Sequence, residues 1–447
     1  MLISARWFKI FFCSEPTGNV HELYSTMKRM ISQCKKDFPI LNQKGTEVPL
    51  TYLDNAATSQ KPKQVIEAIS TYYATANANV HRGVHRLSDA STTAYEKSRE
   101  IVARFFGAKT DELIFVRNTT EATNGLAYGW GDNAIKEGDV IVTSLMEHHS
   151  SIVVWQQLAK RNGARLKVVP ITKEGLLDID ALESILKSEG SKVALVAFAH
   201  VSNTLGCVTP VAKVGTLLKT YAPQSRFYLD AAQSAPHMSI SFAALQKQGV
   251  DFMAVSGHKM LAPMGIGCLL VRRELMETGE MQPWLFGGGM IGEVSQDTAT
   301  FHDDFAEKFT AGTPDVASAV GFAAACEYLT DIGMKQVYEH DVALVKYAYT
   351  KLKNHPKITI IGPNPDESER VGSVAFLFEG VHAHDVAQIL DSKGVAVRSG
   401  HHCTMPLHTH FRWASTARAS FQIYNSTDDI DVLVQALDTV TQIFTRK

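Results

Sequence analysis

The stretch VRSGHHCTMP packs Arg398, His401 and His402 around one cysteine, Cys403, in a glycine-broken turn near the end of the chain. Only a thiolate is a good nucleophile, and neighbouring histidines suit one. The same cysteine also fits the ordinary role of a small buried hydrophobe. A second reactive type, Lys259, follows the apolar run FMAVS in FMAVSGHKM, with Ser256 and His258 beside it. A lysine close behind a buried strand either reaches solvent or is desolvated. Desolvation lowers its pKa toward the neutral amine that attacks a carbonyl.

Other polar residues stand at the ends of apolar runs. RFYLDAAQS supplies Asp230 and Gln233, the aspartate twenty-nine residues before Lys259. A buried aspartate needs a partner: a pyridinium nitrogen such as that of pyridoxal phosphate is one, and a helix N-terminus is another. RNTTEATN places Thr119 and Thr120 after the run ELIFV, with Glu121 in the first turn of a helix. Amides and hydroxyls there bind phosphate, and they also make an ordinary cap. His148 and His149 end the run DVIVTSL, and Asn203 ends the next. Paired histidines invite a zinc reading, but neighbours on a strand point to opposite faces and neither HExxH nor CxxC occurs, which argues against a metal.

These residues need a scaffold that brings strand ends together. The runs DVIVTSL, RLKVVPI, KVALVAFAHVSN, RFYLDAAQS, FMAVSGHK and IGCLLVRREL are β-branched or continuously apolar. They read as strands buried on both faces of a largely parallel sheet. Helical segments lie between them, for example SSIVVWQQLAKRNG, which closes on a glycine. The alternation predicts an α/β fold with its chemistry in the crevice outside the strand C-termini. From about Gly321 a long helical pattern, AVGFAAACEYLTDIGMKQVYEHDVALVKYAYTKLKNH, gives way to the spaced strands KITIIG, GSVAFLFEG and GVAVRSG. We therefore expect a large domain over 52–320 and a smaller α+β domain from 28–51 and 321–447, with 1–27 as an extension. MKRMISQCKKDFPIL, from Met27, reads as an amphipathic helix leading into the fold.

The 447 residues are 45% hydrophobic and 20% charged, the profile of a globular protein with ample core. A net charge of −2 offers no bulk electrostatic footprint for nucleic acid or an anionic membrane. Six cysteines are scattered without a CxxC pair, which argues against a disulfide framework and points to a reducing compartment. The opening MLISARWFKIFFCSEP is interrupted by Arg6 and Lys9 and is too short an apolar run to anchor. A cytoplasmic home is expected, with a plastid or other organelle as the alternative if this extension is a presequence; a start at Met27 is a further reading.

The motifs SGHK, DAAQ, TTEATN, MEHHSS, HVSNTLG, FTAGTPDV and RSGHHC…ARASFQIYN resemble, taken together, the class V aminotransferase superfamily of fold-type I pyridoxal-phosphate enzymes. Within it they resemble the SufS-type cysteine desulfurases of the short-loop group. The resemblance runs from KKDFPIL to the C-terminus and implies a large mainly parallel-sheet domain and a smaller α+β domain. It implies that Lys259 carries pyridoxal phosphate covalently, Asp230 pairs with its ring nitrogen, Gln233 bonds its ring hydroxyl and His148 stacks on the ring. Thr120, Ser256 and His258 would bind the phosphate, with Thr313 completing that site from the other subunit of a homodimer. Arg418 would hold the substrate carboxylate with Asn203 nearby, and Arg398 and His85 would line the pocket entrance.

By the same resemblance, L-cysteine would surrender its sulfur to the Cys403 thiolate and leave as alanine. A SufE-like or SufU-like acceptor would then take the sulfur toward iron–sulfur cluster assembly. Three local departures stand out. In PWLFGGGMI, Phe286 and Gly289 replace an expected glycine and polar residue; Thr310 replaces a glutamate, and Ala231 a glycine. Alternative readings are a selenocysteine lyase, a cysteine sulfinate desulfinase or a kynureninase-like hydrolase. A catalytically silent scaffold for sulfur transfer is another.

Overall fold

The computed structural model describes residues 33–43, 48–81 and 83–445. The extension 1–27 and the first turns of the helix expected from Met27 lie outside these. The described part of that segment opens helical at Gln33 and Cys34, tightens into the 3-10 turn Lys35–Asp37 and, after Phe38, whose extended backbone precedes Pro39, forms a second 3-10 turn Pro39–Asn42. A two-residue strand β1 (Thr51–Tyr52) comes next. The main sheet uses β2 (Leu113–Val116), β3 (Val140–Ser144), β4 (Arg165–Val169), β5 (Val193–Ala199), β6 (Arg226–Asp230), β7 (Phe252–Ser256) and β8 (Gly267–Val271).

The strand order is β2-β8-β7-β6-β5-β3-β4. Pairing is parallel from β4 through β7 and antiparallel where β8 meets β7 and β2. The continuous apolar runs have a physical cause in this placement. Val140, Val142, Val196, Phe198, Phe227 and Leu229 face one hydrophobic cluster, while Ile141, Leu195, Ala197 and Tyr228 face another. Alternate residues thus bury on opposite faces, so no polar position is tolerated between them. One strand departs from the expectation. RLKVVPI forms the outermost strand β4, mostly uncovered, with Arg165 and Lys167 paired to Glu189. An edge strand with charges outward resists further pairing.

The register sets the strand ends side by side: Ala199 pairs with Asp230, and Asp230 with Ala254 two residues before Ser256. Helix His149–Asn162 closes on Gly163 with φ of 69°, the left-handed conformation glycine adopts without strain. A hairpin of β9 (Ile291–Val294) and β10 (Ala299–Phe301) follows the main sheet.

The long helical pattern after residue 319 is two helices, Val316–Ile332 and Met334–Lys353, broken at Gly333. The first packs on helices Lys63–Thr75 and Arg86–Phe105 and buries Phe322, Cys326 and Leu329 in the cluster of the main sheet. A division at 320/321 therefore cuts a helix that packs on the main sheet; the next helix begins there too, with Val337 in the same cluster, before it turns to the second sheet. Met334–Lys353 puts Leu344, Val345 and Ala348 into a separate cluster with Val374, Phe376, Ala417 and Ala419. Val374, Phe376, Ala417 and Ala419 come from the second sheet, of β11 (Ile358–Ile361), β12 (Ser373–Phe378), β14 (Arg398–Gly400) and β15 (Thr416–Ser420), which is antiparallel in the order β11-β12-β15-β14. The short strand β13 (Val395–Ala396) pairs with β1. Among the described residues no helix is long and apolar enough to cross a membrane.

Candidate active site

A cavity of about 200 Å³ lies where the ends of β5, β6 and β7 meet β14, β15 and the turn after β14. Lys259 ends the turn Gly257–Lys259 that follows β7. The carbonyl before it, that of His258, accepts from four donors: Ser59 N at 3.0 Å, Ser59 Oγ at 3.1 Å, Thr58 Oγ1 at 3.1 Å and Lys61 Nζ at 2.9 Å. Ser59 Oγ also accepts from Leu261 N, whose residue is held at a φ of 71°. This clamp fixes the backbone that presents Lys259. Sequence reading missed it, because the three clamping residues lie some two hundred positions away and carry no local signature.

The Lys259 amine has no hydrogen-bond partner among the described residues. Burial draws its pKa down to about 8, the nearby Asp230 carboxylate opposing and Arg418 reinforcing the shift. Asp230 closes β6; its Oδ1 accepts from Ala232 N at 2.9 Å, and Oδ2 has no partner among the described residues. Burial raises the pKa of this carboxyl, against Ala232 N and Lys259. Gln233 lines the same cavity and donates from Nε2 to Ala56 O at 2.8 Å.

His148 caps helix His149–Asn162, its Nδ1 accepting from Ser150 N at 3.1 Å. A neutral ring that accepts at Nδ1 carries its proton on Nε2. Burial, with Lys259 and other cations nearby, lowers its pKa to about 3, so the ring is neutral at physiological pH. His149 turns away to bond Met405 N, which separates the adjacent pair. Just before them, Glu147 is buried between Ser144 Oγ and Ala199 N and ties β3 to β5; burial lifts its pKa to about 8.

At the start of helix Thr119–Leu126, Ser256 Oγ accepts from Thr119 N at 3.0 Å and bonds the Thr119 hydroxyl at 2.8 Å. Thr119 is thereby used within the protein. Thr120 and His258 line the cavity beside that helix start. His258 is neutral, burial lowering its pKa to about 4.

The second sheet supplies the cations. Register pairs Arg398 with Arg418 across β14 and β15. Arg418 is buried, donating from Nη1 to Asn203 O at 2.7 Å and meeting Asp54 at 3.4 Å. Arg398 has no ion pair among the described residues. Two adjacent guanidiniums against a single bonded carboxylate leave the cavity wall attractive to an anion.

Cys403 reaches this cavity from a tightly tied turn. Gly400 has a φ of 118°, and His402 and Cys403 take left-handed values of 50° and 58°. Two successive non-glycine residues in that region cost about 1 kcal/mol or more each and persist only when held. Here Asn203 Nδ2 donates to His402 O at 2.6 Å, and His149 N to Cys403 O at 2.8 Å. Thr204 and Thr404 bond through their hydroxyls at 2.9 Å. Cys403 is partly exposed, whereas Cys34, Cys207, Cys268 and Cys326 are buried, with burial raising each of their thiol pKa values. The four are inert as thiolates.

Within one chain, two expected residues do not join them. His85 caps helix Arg86–Phe105 through Ser88 N, and that helix packs against Val316–Ile332 rather than the cavity. Thr313 bonds Asn79 at 3.3 Å and lines a separate surface hollow with Tyr72 and Asn79. Among the described residues no cluster of three histidine, cysteine or acidic side chains is arranged to hold a metal.

A family model described as aminotransferase class-V matches residues 51–433, which include every cavity residue just placed. The chain belongs to that family. A curated relative, a probable cysteine desulfurase of Synechocystis sp., is 44% identical over 92% of this chain and 95% of its own length. Among solved structures, a cysteine desulfurase from Thermococcus onnurineus is 40% identical with a TM-score of 0.84, covering 92% of this chain and 97% of that one. The Escherichia coli cysteine desulfurase CsdA is 33% identical with a TM-score of 0.82, covering 92% and 98%. In class-V terms the match ends inside helix Thr427–Thr445 and so spans both sheets.

Proposed function

We propose that this chain is a cysteine desulfurase of the SufS-type short-loop group that uses pyridoxal phosphate and takes sulfur from L-cysteine onto Cys403. One observation carries the reading: an unpartnered, desolvated lysine amine and a partly exposed cysteine line the same cavity, with two guanidiniums beside them. The residues fit the cofactor. Lys259 lacks a partner among the described residues, Asp230 Oδ2 is free to accept from a ring N–H, and the helix start at Thr120 with Ser256 and His258 suits a phosphate. Bound there, pyridoxal phosphate supplies an electron sink for charge developing on the substrate.

The chain's own groups do the rest. Arg418 and Asn203 orient the substrate carboxylate, and Arg398 supplies a second cation. The Lys259 amine takes and returns the proton at the substrate α-carbon. His148, neutral with its proton on Nε2, lines the cavity where it would cover the cofactor ring. The Cys403 thiolate attacks the substrate sulfur; a sulfur–sulfur bond forms as the carbon–sulfur bond breaks, that bond's electron pair stays on carbon and takes up the proton Cys403 gave up, and the persulfide keeps the hydrogen of the substrate thiol. Net, one L-cysteine and one thiol give one alanine and one persulfide.

We further propose a homodimer in which a second copy brings Thr313 and His85 to this cavity, since both lie on the surface away from it in a single chain. A division into a unit of 52–332, built on the main sheet, and a unit of 28–51 with 333–447, built on the second sheet, is the domain reading, with Phe38, Val337 and Tyr424 packing into the main-sheet cluster across the join. A SufE-like or SufU-like protein in the cytosol, where Cys403 stays reduced, fits as acceptor for iron–sulfur assembly.

The reading is tested by incubating the purified protein with L-cysteine and a thiol reductant. Alanine and sulfide in equal amounts support it; release of selenium or sulfite from the corresponding analogues, with no sulfide from cysteine, overturns it in favour of a sister activity. Cofactor capture gives a pH signature. Only the neutral amine of Lys259 condenses, so reconstitution of stripped protein should quicken as pH rises through about 8 and level off above it. A rate that falls over that range in stopped-flow absorbance contradicts the assignment.

A further inference from the structure

The cavity wall formed by the second sheet carries more positive charge than the protein offsets. Arg418 is 2% exposed and is oriented by a short bond from Nη1 to Asn203 O, at 2.7 Å. Arg398 stands opposite it in the register of β14 and β15. Among the described residues the one carboxylate bonded to either guanidinium is that of Asp54, whose Oδ1 lies 3.4 Å from Arg418 Nη2. Asp54 comes from the segment after β1. Its backbone bridges Ser420 at the end of β15, and its carbonyl oxygen accepts from Ala57 N at 3.1 Å. The cavity is lined by Ala56 and Ala57 but not by Asp54. A ligand there meets Arg418 without touching the carboxylate that pairs with it.

Distance decides what Asp54 contributes. Charge-assisted hydrogen bonds that direct a guanidinium run at about 2.7–2.9 Å. The Asn203 contact is of that length and the Asp54 contact is longer, so Asn203 supplies the orientation. Coulomb attraction falls only as the inverse of distance, so Asp54 still offsets charge. Burial raises the Asp54 pKa while Arg418 and then Arg398 oppose the rise, so this carboxylate feels both guanidiniums. Its 24% exposure lets water screen part of the effect. We propose that Asp54 weakens the hold of Arg418 on carboxylates, so that the alanine left after sulfur transfer can leave. L-cysteine and L-alanine carry the same carboxylate, and whatever Arg418 gains on the substrate it gains equally on the product. Such uniform binding does not speed the chemical step. Two guanidiniums less one carboxylate leave one positive charge to face one ligand carboxylate; without Asp54, two would face it. Asp54 acts through Arg418 and is a positioning residue. The inference rests on the reading of Arg418 as the holder of the substrate carboxylate.

The test uses the full-length holoenzyme with Asp54→Asn, which keeps the shape and removes the charge, and Asp54→Glu, which keeps the charge. Visible titrations with L-alanine and ethylamine read binding with and without a carboxylate. Asp54→Asn should bind L-alanine about five- to tenfold tighter, chiefly through slower dissociation, and leave ethylamine unchanged. L-alanine should become a stronger product inhibitor, and the KM for L-cysteine should fall by a similar factor. Asp54→Glu should behave as the parent. A merely structural role for Asp54 predicts the opposite sign, because damage to the site weakens a ligand. In an Arg418→Gln background Asp54→Asn should change nothing, and a tightening that survives there overturns the proposal. If the asparagine variant loses its cofactor, Asp54→Ser, with the same change of charge, replaces it. A parent that prefers L-alanine over ethylamine but is left unchanged or weakened by loss of the Asp54 charge defeats the proposal alone. A parent that binds the two ligands equally defeats the reading of Arg418 and the proposal with it.

Discussion

Replacing Lys259 by alanine should lower alanine production from L-cysteine by about a thousandfold or more, the upper range for removing a group that serves as both nucleophile and proton carrier. The variant should fold normally, because the Lys259 amine has no partner among the described residues and its backbone is held through the His258 carbonyl rather than through the side chain. Lys259→Arg should fare no better: it restores a cation beside Asp230 but no amine that can become neutral. Protein-bound cofactor absorbance and turnover should be lost together. Retention of more than about a tenth of the parental rate in either variant would place the reactive amine elsewhere.

The second large effect is expected at Cys403. Changed to alanine, it should lose persulfide and sulfide formation by about a hundredfold or more, since no other described cysteine can take its place. The parental spectral change on adding L-cysteine should survive, because Arg418, Asn203 and Lys259 are untouched. The turn should also survive. Its left-handed backbone at 402 and 403 is held by Asn203, His149 and Thr404, and alanine meets the same steric cost there as cysteine. Mass spectrometry of the parent after one turnover should find the added sulfur on the peptide bearing Cys403. Equal sulfide release by parent and variant would make Cys403 a bystander and direct the search to selenium or sulfinate analogues.

How far the sequence reached can be seen in particular residues. Lys259, Asp230, Gln233 and Thr120 were legible because each sits at the end of a run too apolar to be anything but a doubly buried strand, and strand ends are where such sheets gather polar groups. His148, Asn203 and Ser256 were legible by the same logic. Cys403 was legible as a candidate, while the choice between nucleophile and filler needed its neighbours in space. The edge position of β4 was hidden, since RLKVVPI has the composition of an inner strand and only the sheet order leaves it uncovered. The break at Gly333 was read through as part of one helical pattern, and helix Val316–Ile332 is apolar on most sides, so nothing local said which sheet it would join.

By itself, then, the sequence determined the strands, the largely parallel sheet and the residue types at its crevice, because period-two burial and helix stops are local properties of neighbouring residues. Tertiary structure alone decided the clamp of Thr58, Ser59 and Lys61 on the His258 carbonyl and the separation of His85 and Thr313 from the cavity. The clamp depends on atoms far apart in the chain meeting within about 3 Å, a distance that hydrogen-bond geometry enforces and that no local spacing encodes.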